Sequence, residues 1–454
     1  TAPVPPPQLG PRLLPPEPAR VTGPGEGRQV AIGRLVIDGN TALSDWALRA
    51  PVAGLEGRAI TLGEIEAARL ALLHLYREAG FAYVAVGAGL APLPDGRAAL
   101  HFRVTEGFIA EVTLDGVPIG PAARQVLRFL QPLIGQRPVP NAALERALLL
   151  ASDIPGVTTR GLLRPLRGEP GALQLVVQLE RRATGGFLNI DNRGYEVSGA
   201  WQGLASFQLN ALTGLGERTE LALFGTEGGR QGFAQLTEEA FLGGSGLRLR
   251  GYVGAGRADP GSPLAAIGYA GETQVAGLAL AYPILRSRPL NLSVTGQFDA
   301  FASVVDAYGE RQSRDAVRAL RLAFEGSALD AWIESAPAAA TSTGVLRLSQ
   351  GIEALGASDG DSGRTARLGS DFGFTRLVAE ATRLQPLFVP AEGWLISLFG
   401  VVAAQWSEDL LPPAEKFYLG GNRLGRGFYA GQVSGDRALA GTLELQAARL
   451  FEIP

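Results

Sequence analysis

The apolar and polar positions of this chain follow two different rhythms, and the change comes near residue 183. Beyond it the period is two. In LNLSVTGQFDA, Leu290, Leu292, Val294, Gly296 and Phe298 alternate with Asn291, Ser293, Thr295, Gln297 and Asp299. AWQGLASFQLN sets Trp201, Gly203, Ala205, Phe207 and Leu209 against Gln202, Ser206, Gln208 and Asn210. ALAGTLELQ sets Leu439, Gly441, Leu443 and Leu445 against Thr442, Glu444 and Gln446. Each segment predicts a strand with one apolar and one polar face. Such alternation fits a soluble sandwich as well as a membrane barrel, since both cover one face. Three features favour the barrel. Many strands run to about ten residues, the length that crosses a bilayer, against five or six in ordinary sheets. Tight connections such as LTGLGER and LGGSGL alternate with longer polar ones such as RADPGSPLAAIG and GASDGDSGRT, the wiring of membrane barrels. Trp201, Trp394 and Trp406 fall near strand ends, where an aromatic girdle would sit. About twelve strands are read in this way.

Before residue 183 a helical rhythm appears twice. RQVAIGRLVIDGN predicts a strand closed by Asp38-Gly39. TLGEIEAARLALLHLYREAG opens with Thr61-x-x-Glu64, a capping box. Ile65, Ala68, Leu72 and Tyr76 make an apolar stripe, and Gly80 ends the helix. Two strands follow, FAYVAVGA and AALHFRV; in the second, Leu100, Phe102 and Val104 oppose His101, Arg103 and Thr105. IAEVTLDGV then echoes GRLVIDGN, and Gly135-Gln136-Arg137 answers Gly57-Arg58. Helical patterns near 121–132 and 140–152 precede the strands GVTTRGLLRPL and GALQLVVQLERR. The plain reading is two β-α-α-β-β modules in tandem, at 28–108 and 109–183, followed by a strand-only region at 184–454. Residues 1–27 are Pro-rich, which predicts an extended arm.

Composition narrows the function classes. A net charge of −3 and a pI near 5.7 give no electrostatic footprint for nucleic acid. The absence of cysteine excludes disulfides, thiolate catalysis and thiolate metal sites, and suits an oxidising compartment. His74 and His101 are the only histidines, both in the first module, so neither a metal site nor a catalytic site is expected. A barrel enzyme would need a Ser/His or Asp/His constellation at its rim. Mean hydropathy is slightly positive at +0.12, yet no apolar run reaches the roughly 18 residues of a spanning helix. The chain begins at Thr1 and has no methionine, the look of a mature or trimmed product.

One connection stands apart. Residues 408–437 join two long strands and contain FYLGGNRLGRGFYAGQVSGD, far longer than the two to five residues common in hairpins. A phosphate-binding loop would need G-x-x-x-x-G-K-[ST] before a helix; here no such lysine is present and a strand follows. A solvated surface loop and a plug folded into a barrel both remain. In a plug, Arg426 would need a carboxylate partner, and Gly425 and Gly427 would let backbone pass close to a wall.

The segment GGNRLGRGF resembles the sixth-loop motif of the two-partner secretion transporters (TpsB), the outer-membrane proteins of hemolysin-activator and filamentous-hemagglutinin-transporter type. Gly420-Gly421, Arg426-Gly427-Phe428 and Gly435-Asp436 carry that likeness. It departs at Gly425, where the family usually has Val. LNIDNRGYEVSGAWQ is similar to the family's first barrel strand through Asp191, Asn192, Gly194 and Gly199. LSQGIEALGASDG and DFGFTRLVAEATRLQPL resemble its ninth and tenth strands, the paired modules resemble its POTRA domains, and FRVTEGFIAEV matches the V-x-E-G junction between them. The resemblance implies a transmembrane antiparallel β-barrel of sixteen strands, four of them after the sixth loop. Only one strand follows that loop here, so the chain is expected to lack its last strands, and with them an acidic partner for Arg426.

The resemblance further implies a secretion pore without catalysis, cofactor or nucleotide. Its POTRA modules would face the periplasm of a Gram-negative cell and capture a secreted partner exoprotein of TpsA type, unfolded in transit. The other expected contacts are outer-membrane lipid and lipopolysaccharide, and the expected state is a monomer. The alternative function is a barrel- or translocation-assembly factor, though those usually carry three or more POTRA domains.

Overall fold

The computed structural model describes residues 29–116, 120–192, 194, 196–421, 423–429 and 431–449; the Pro-rich arm at 1–27 lies outside them. The chain divides between Arg181 and Arg182 into two compact units.

The N-terminal unit holds both modules. In the first, β1 (Gln29–Asp38) leads through a one-turn helix α1 (Asp45–Arg49) and a short β2 (Ala59–Thr61) to α2 (Leu62–Glu78), then β3 (Val84–Pro92) and β4 (Ala98–Glu106). The sheet order is β2-β1-β4-β3, with β1 parallel to β4. In the second, β5 (Phe108–Asp115), α3 (Ala122–Leu130), α4 (Asn141–Ser152), β6 (Val157–Pro165) and β7 (Ala172–Arg181) give the order β5-β7-β6, with β5 parallel to β7. Helix α2 starts where its sequence demands. Thr61 Oγ1 accepts from Glu64 N at 3.2 Å, and Glu64 Oε2 accepts from Thr61 N at 2.7 Å. The stripe Ile65, Ala68, Leu72 and Tyr76 is buried against Leu100, Phe102 and Val104 of β4.

A compact joint links the modules. Glu106, 4% exposed, accepts from Thr41 N at 2.8 Å, Ala42 N at 3.1 Å, Tyr76 Oη at 3.2 Å and the Thr41 hydroxyl. Burial, then the neighbouring Glu106 carboxylate, pushes the Tyr76 phenol well above its ordinary pKa, so it stays a donor. Gly107 donates to Tyr83 O at 2.7 Å and accepts from Val139 N at 2.8 Å; a Cβ there would lie 2.2 Å from Tyr83 O. Asn141 donates its backbone N–H to Gly80 O at 2.9 Å and accepts from Ala82 N at 3.0 Å through its side chain.

Among the described residues the second unit is built on an antiparallel sheet of twelve strands, in line with the roughly twelve read from the sequence. In chain order these are β8 (Thr184–Asp191), β9 (Gln202–Asn210), β10 (Arg218–Thr226), β11 (Gln231–Phe241), β12 (Arg248–Ala258), β13 (Ala270–Arg286), β14 (Leu290–Ala307) and β15 (Glu310–Asp330). There follow β16 (Ala340–Gly351), β17 (Thr375–Phe388), β18 (Trp394–Trp406) and, after a long connection, β21 (Ala438–Arg449). The connection contains its own hairpin of β19 (Phe417–Leu419) and β20 (Val433–Gly435). Each strand of the sheet pairs with the next, and β8 and β21 end it. Among the described residues no helix is long and apolar enough to cross a membrane.

Side-chain alternation sorts the two faces of this sheet. On β15, Leu320 is 53% and Leu322 44% exposed, whereas Ala319 is 0% and Ala323 3%. On β21, Leu439, Leu443 and Leu445 are exposed, while Glu444 between them is mostly covered. A sheet that exposes leucines and covers charges is inverted relative to a soluble core, as a lipid-facing barrel requires. The loop asymmetry is only partial. The longest connections, 352–374 and 407–437, lie on one edge, but so does the two-residue turn Tyr308-Gly309 between β14 and β15. That turn joins the longest strands of the sheet, of 18 and 21 residues; here reach comes from extended ladder rather than from loop.

Candidate functional site

The connection between β18 and β21 lies against the covered face of the sheet. Leu424 is 5% exposed and packs on Val401 and Ala403, with Phe399, Phe417, Leu419 and Ala440 around it. Val401 and Ala403 are 3% and 2% exposed, against 55% for Val402 between them, so Leu424 sits on the side away from the exposed leucines. Apolar burial supplies the adhesion here, at roughly 2 kcal/mol for a leucine side chain.

Two arginines beside Leu424 reach carboxylates on that same face. Arg423 Nη1 donates to Glu380 Oε1 on β17 at 2.8 Å. Arg426 Nη2 lies 2.9 Å from Glu444 Oε1 on β21. This corrects the expectation that the acidic partner of Arg426 is out of view: the partner is on the strand directly after the loop. Both guanidiniums remain about two-thirds exposed, so each pair contributes little by itself, on the order of 0–1 kcal/mol.

The glycines serve the loop's own turn more than an approach to the wall. Gly420 donates to Leu424 O at 2.9 Å, Gly421 to Phe428 O at 3.0 Å, and Phe428 to Gly425 O at 3.0 Å. Gly420 has φ +117, and a Cβ there would meet Tyr429 O at 1.9 Å. Gly425, where Val stands in the resembled motif, has φ +81, a conformation costly for any β-branched residue. Its neighbours, Leu419 and Phe428, belong to the loop, and nothing lies within 4 Å of a Cβ built on Gly427. The expected close passage of these two glycines along a wall is therefore not what the structure contains. Phe428 is half exposed.

At the far end of the connection, Gly435 closes β20 and Asp436 receives both arms of Arg367, at 2.6 and 2.8 Å, and Leu411 N at 3.3 Å. This joins the 407–437 connection to the 352–374 connection. The Arg367 guanidinium holds the Asp436 carboxyl below the usual carboxylate range.

The second predicted motif lies at the β8–β9 turn, and no described contact brings it to the loop. Asp191 accepts from Gln202 Nε2 at 2.8 Å and from Asn189 Nδ2 at 3.3 Å, and Asn192 begins the bend that follows β8. Gly194 donates to Ala200 O at 2.9 Å, and a Cβ on it would strike Gly199 O at 2.1 Å. Its glycines are explained by backbone crowding.

The sequence reading missed a covered charge cluster of the unit. Glu415, 4% exposed in the turn Pro413–Glu415, pairs with Arg321 of β15 and Arg376 of β17. A usable signal was present in RALRLAF, where Arg321 shares the covered side of an alternating stretch with alanines on either hand, Ala319 and Ala323. Among the described residues no cluster of side chains could hold a metal ion. His74 is exposed, and His101 Nδ1 lies 3.7 Å from Asp38 Oδ2 at the surface.

Two family models match the chain. Haemolysin secretion/activation protein ShlB/FhaC/HecB covers residues 264–452, and POTRA domain, ShlB-type, covers residues 13–107. No curated protein matches it. Among solved structures, CdiB from Escherichia coli superposes with a TM-score of 0.74 at 18% identity, covering 98% of this chain and 80% of that one. CdiB from Acinetobacter baumannii gives 0.63 at 15% identity, covering 94% and 78%. At such identities the likeness concerns the fold.

Proposed function

We propose that this chain, which belongs to the ShlB/FhaC/HecB family of two-partner secretion transporters, closes its export path at rest with the connection between β18 and β21. In this reading the barrel lies in the outer membrane of a Gram-negative cell and the POTRA modules face the periplasm. There they take up a TpsA-type exoprotein before it folds. β3 and β6 end their sheets, so each offers a backbone edge to which an extended chain can add as a strand. The transporter acts as a monomer among lipid and lipopolysaccharide, and transit is a matter of binding and displacement, without chemistry.

The observation that carries this reading is Leu424 on Val401 and Ala403, with Arg423 and Arg426 both drawn to carboxylates on the covered face. A loop bound there stands where cargo must pass. The test is ion conductance in a planar bilayer with and without residues 417–437. We expect a small, fluctuating conductance that becomes larger and steadier on deletion; an unchanged conductance would remove the plug from the mechanism. Arg426→Ala is expected to lower secretion of the partner while the barrel still inserts, and normal export by that variant would count against a transport role for the arginine.

A further inference from the structure

Arg321 belongs to β15, three strands from β18 in the sheet, and the connection that leaves β18 nevertheless delivers Glu415 to it. To do so its first part must cross the covered face over β17 and β16. Glu415 Oε1 and Oε2 accept from Arg321 Nη2 at 2.6 Å and Nη1 at 3.1 Å. Arg376 Nη2 lies 2.7 Å from Glu415 Oε2, and its Nη1 donates to the Glu415 carbonyl at 2.7 Å. Gln405 Nε2 also donates to that carbonyl, at 3.1 Å.

The wall side of this cluster is itself held. Arg321 Nε donates to Asp299 Oδ2 at 2.5 Å and its Nη1 to Ser349 Oγ at 3.0 Å. Asp299 accepts from Gln297 Nε2 at 2.6 Å and from the Tyr252 hydroxyl. The Tyr252 ring lies over Gly277, where a Cβ would come within 2.5 Å of it. Two guanidiniums thus meet two carboxylates, and six strands, β12 and β14 to β18, contribute to holding one turn of the loop.

The contrast with the tip decides the matter. The side chains of Arg321, Arg376 and Glu415 are 14%, 11% and 5% exposed, whereas those of Arg423 and Arg426 are 64% and 65% exposed. Ion pairs open to water are individually weak, but a buried set that loses one member leaves uncompensated charge behind. We infer that Glu415 is the positioning residue of the plug: it fixes the root of the loop on the barrel wall, and the segment beyond Phe417 moves about that fixed point when cargo passes. Arg426, the motif arginine, then does not set the resting position. This inference rests on the plug reading above.

The experiment compares bilayer conductance of the membrane-inserted protein with that of E415Q, E415D, Y252F, R426A and the 417–437 deletion. Heat-modifiable gel migration serves as the check that each barrel is folded. We expect E415Q to approach the steady, enlarged conductance of the deletion, E415D to restore much of the parental behaviour, and R426A to stay near parental. Y252F, which removes only the hydroxyl behind Asp299, should open the pore more often without enlarging it fully. Parental conductance in E415Q, with the deletion still enlarged, would overturn the root-lock and leave the plug standing. Parental conductance in both would overturn the plug as well. If E415Q does not insert, Y252F decides, and unchanged gating there overturns the proposal.

Discussion

Glu106 shows how much one side chain can organise. It answers two backbone N–H groups, a threonine hydroxyl and the Tyr76 phenol, all at the seam where the first module ends. Replacing it with Gln keeps the volume but turns one acceptor oxygen into a donor facing other donors. Glu106→Gln is expected to destabilise the first module by about 1–3 kcal/mol, the cost of stranding buried donors. Amide exchange at Thr41 and Ala42 is the readout, and unchanged protection there would show the carboxylate to be dispensable. The sequence identified this glutamate through its V-x-E-G setting, but the motif does not say which donors it serves. Glu415 was less legible still. Nothing local marks it, because its importance lies in two arginines 94 and 39 residues before it in the chain, one on β15 and one on β17, brought together only by the sheet.

At the level of elements, α2 was readable because every local choice agrees: cap, stripe and terminating glycine. The same cap gives a pH dependence. The backbone N–H of Thr61, then its hydroxyl, holds the Glu64 carboxyl below its usual range. A group depressed on folding contributes stability that is complete above its unfolded pKa and is lost as pH falls through its folded one. The first turn of α2 should therefore fray as pH drops through the acid range below about 4, seen as faster exchange at Thr61 and Glu64. Thr61→Ala removes the hydroxyl half of the box, should cost about 1 kcal/mol, and should lessen that acid dependence while the backbone bond remains, whereas Glu64→Gln should abolish it; an unaltered profile in Glu64→Gln would assign it to other carboxylates. The strands were legible for a similar reason, since in β9, β14 and β21 each residue declares its face. The partial failure of the loop-length asymmetry has its cause in β14 and β15, whose extra length replaces a loop and so carries no glycine-rich signature.

For the molecule as a whole, the joint between the modules sets how the capture surface behaves. The backbone and side chain of Asn141 grip Gly80 and Ala82 across the seam, and Gly107 bonds to both sides of it. Modules tied in this way are expected to turn together. Asn141→Ala should loosen the tie by about 1 kcal/mol and broaden the distance distribution between spin labels placed on α2 and α4. A chain without cysteine makes such paired labelling clean. Equal distributions in parent and variant would show that the backbone bonds alone suffice.

The β14–β15 ribbon has a consequence of another kind. A strand of about 9–11 residues crosses a bilayer, while β15 has 21. Its exposed apolar positions gather at Leu320, Leu322 and Phe324, and the stretch towards the turn carries Asp306, Glu310, Arg311 and Arg314. About half the ribbon therefore extends past the lipid-facing band, and there it is a trellis rather than a free arm: Arg314 N donates to Arg364 O at 2.7 Å and Ala316 N to Ser358 Oγ at 2.9 Å, so the 352–374 connection leans on it, while Tyr308 at the turn stays 73% exposed.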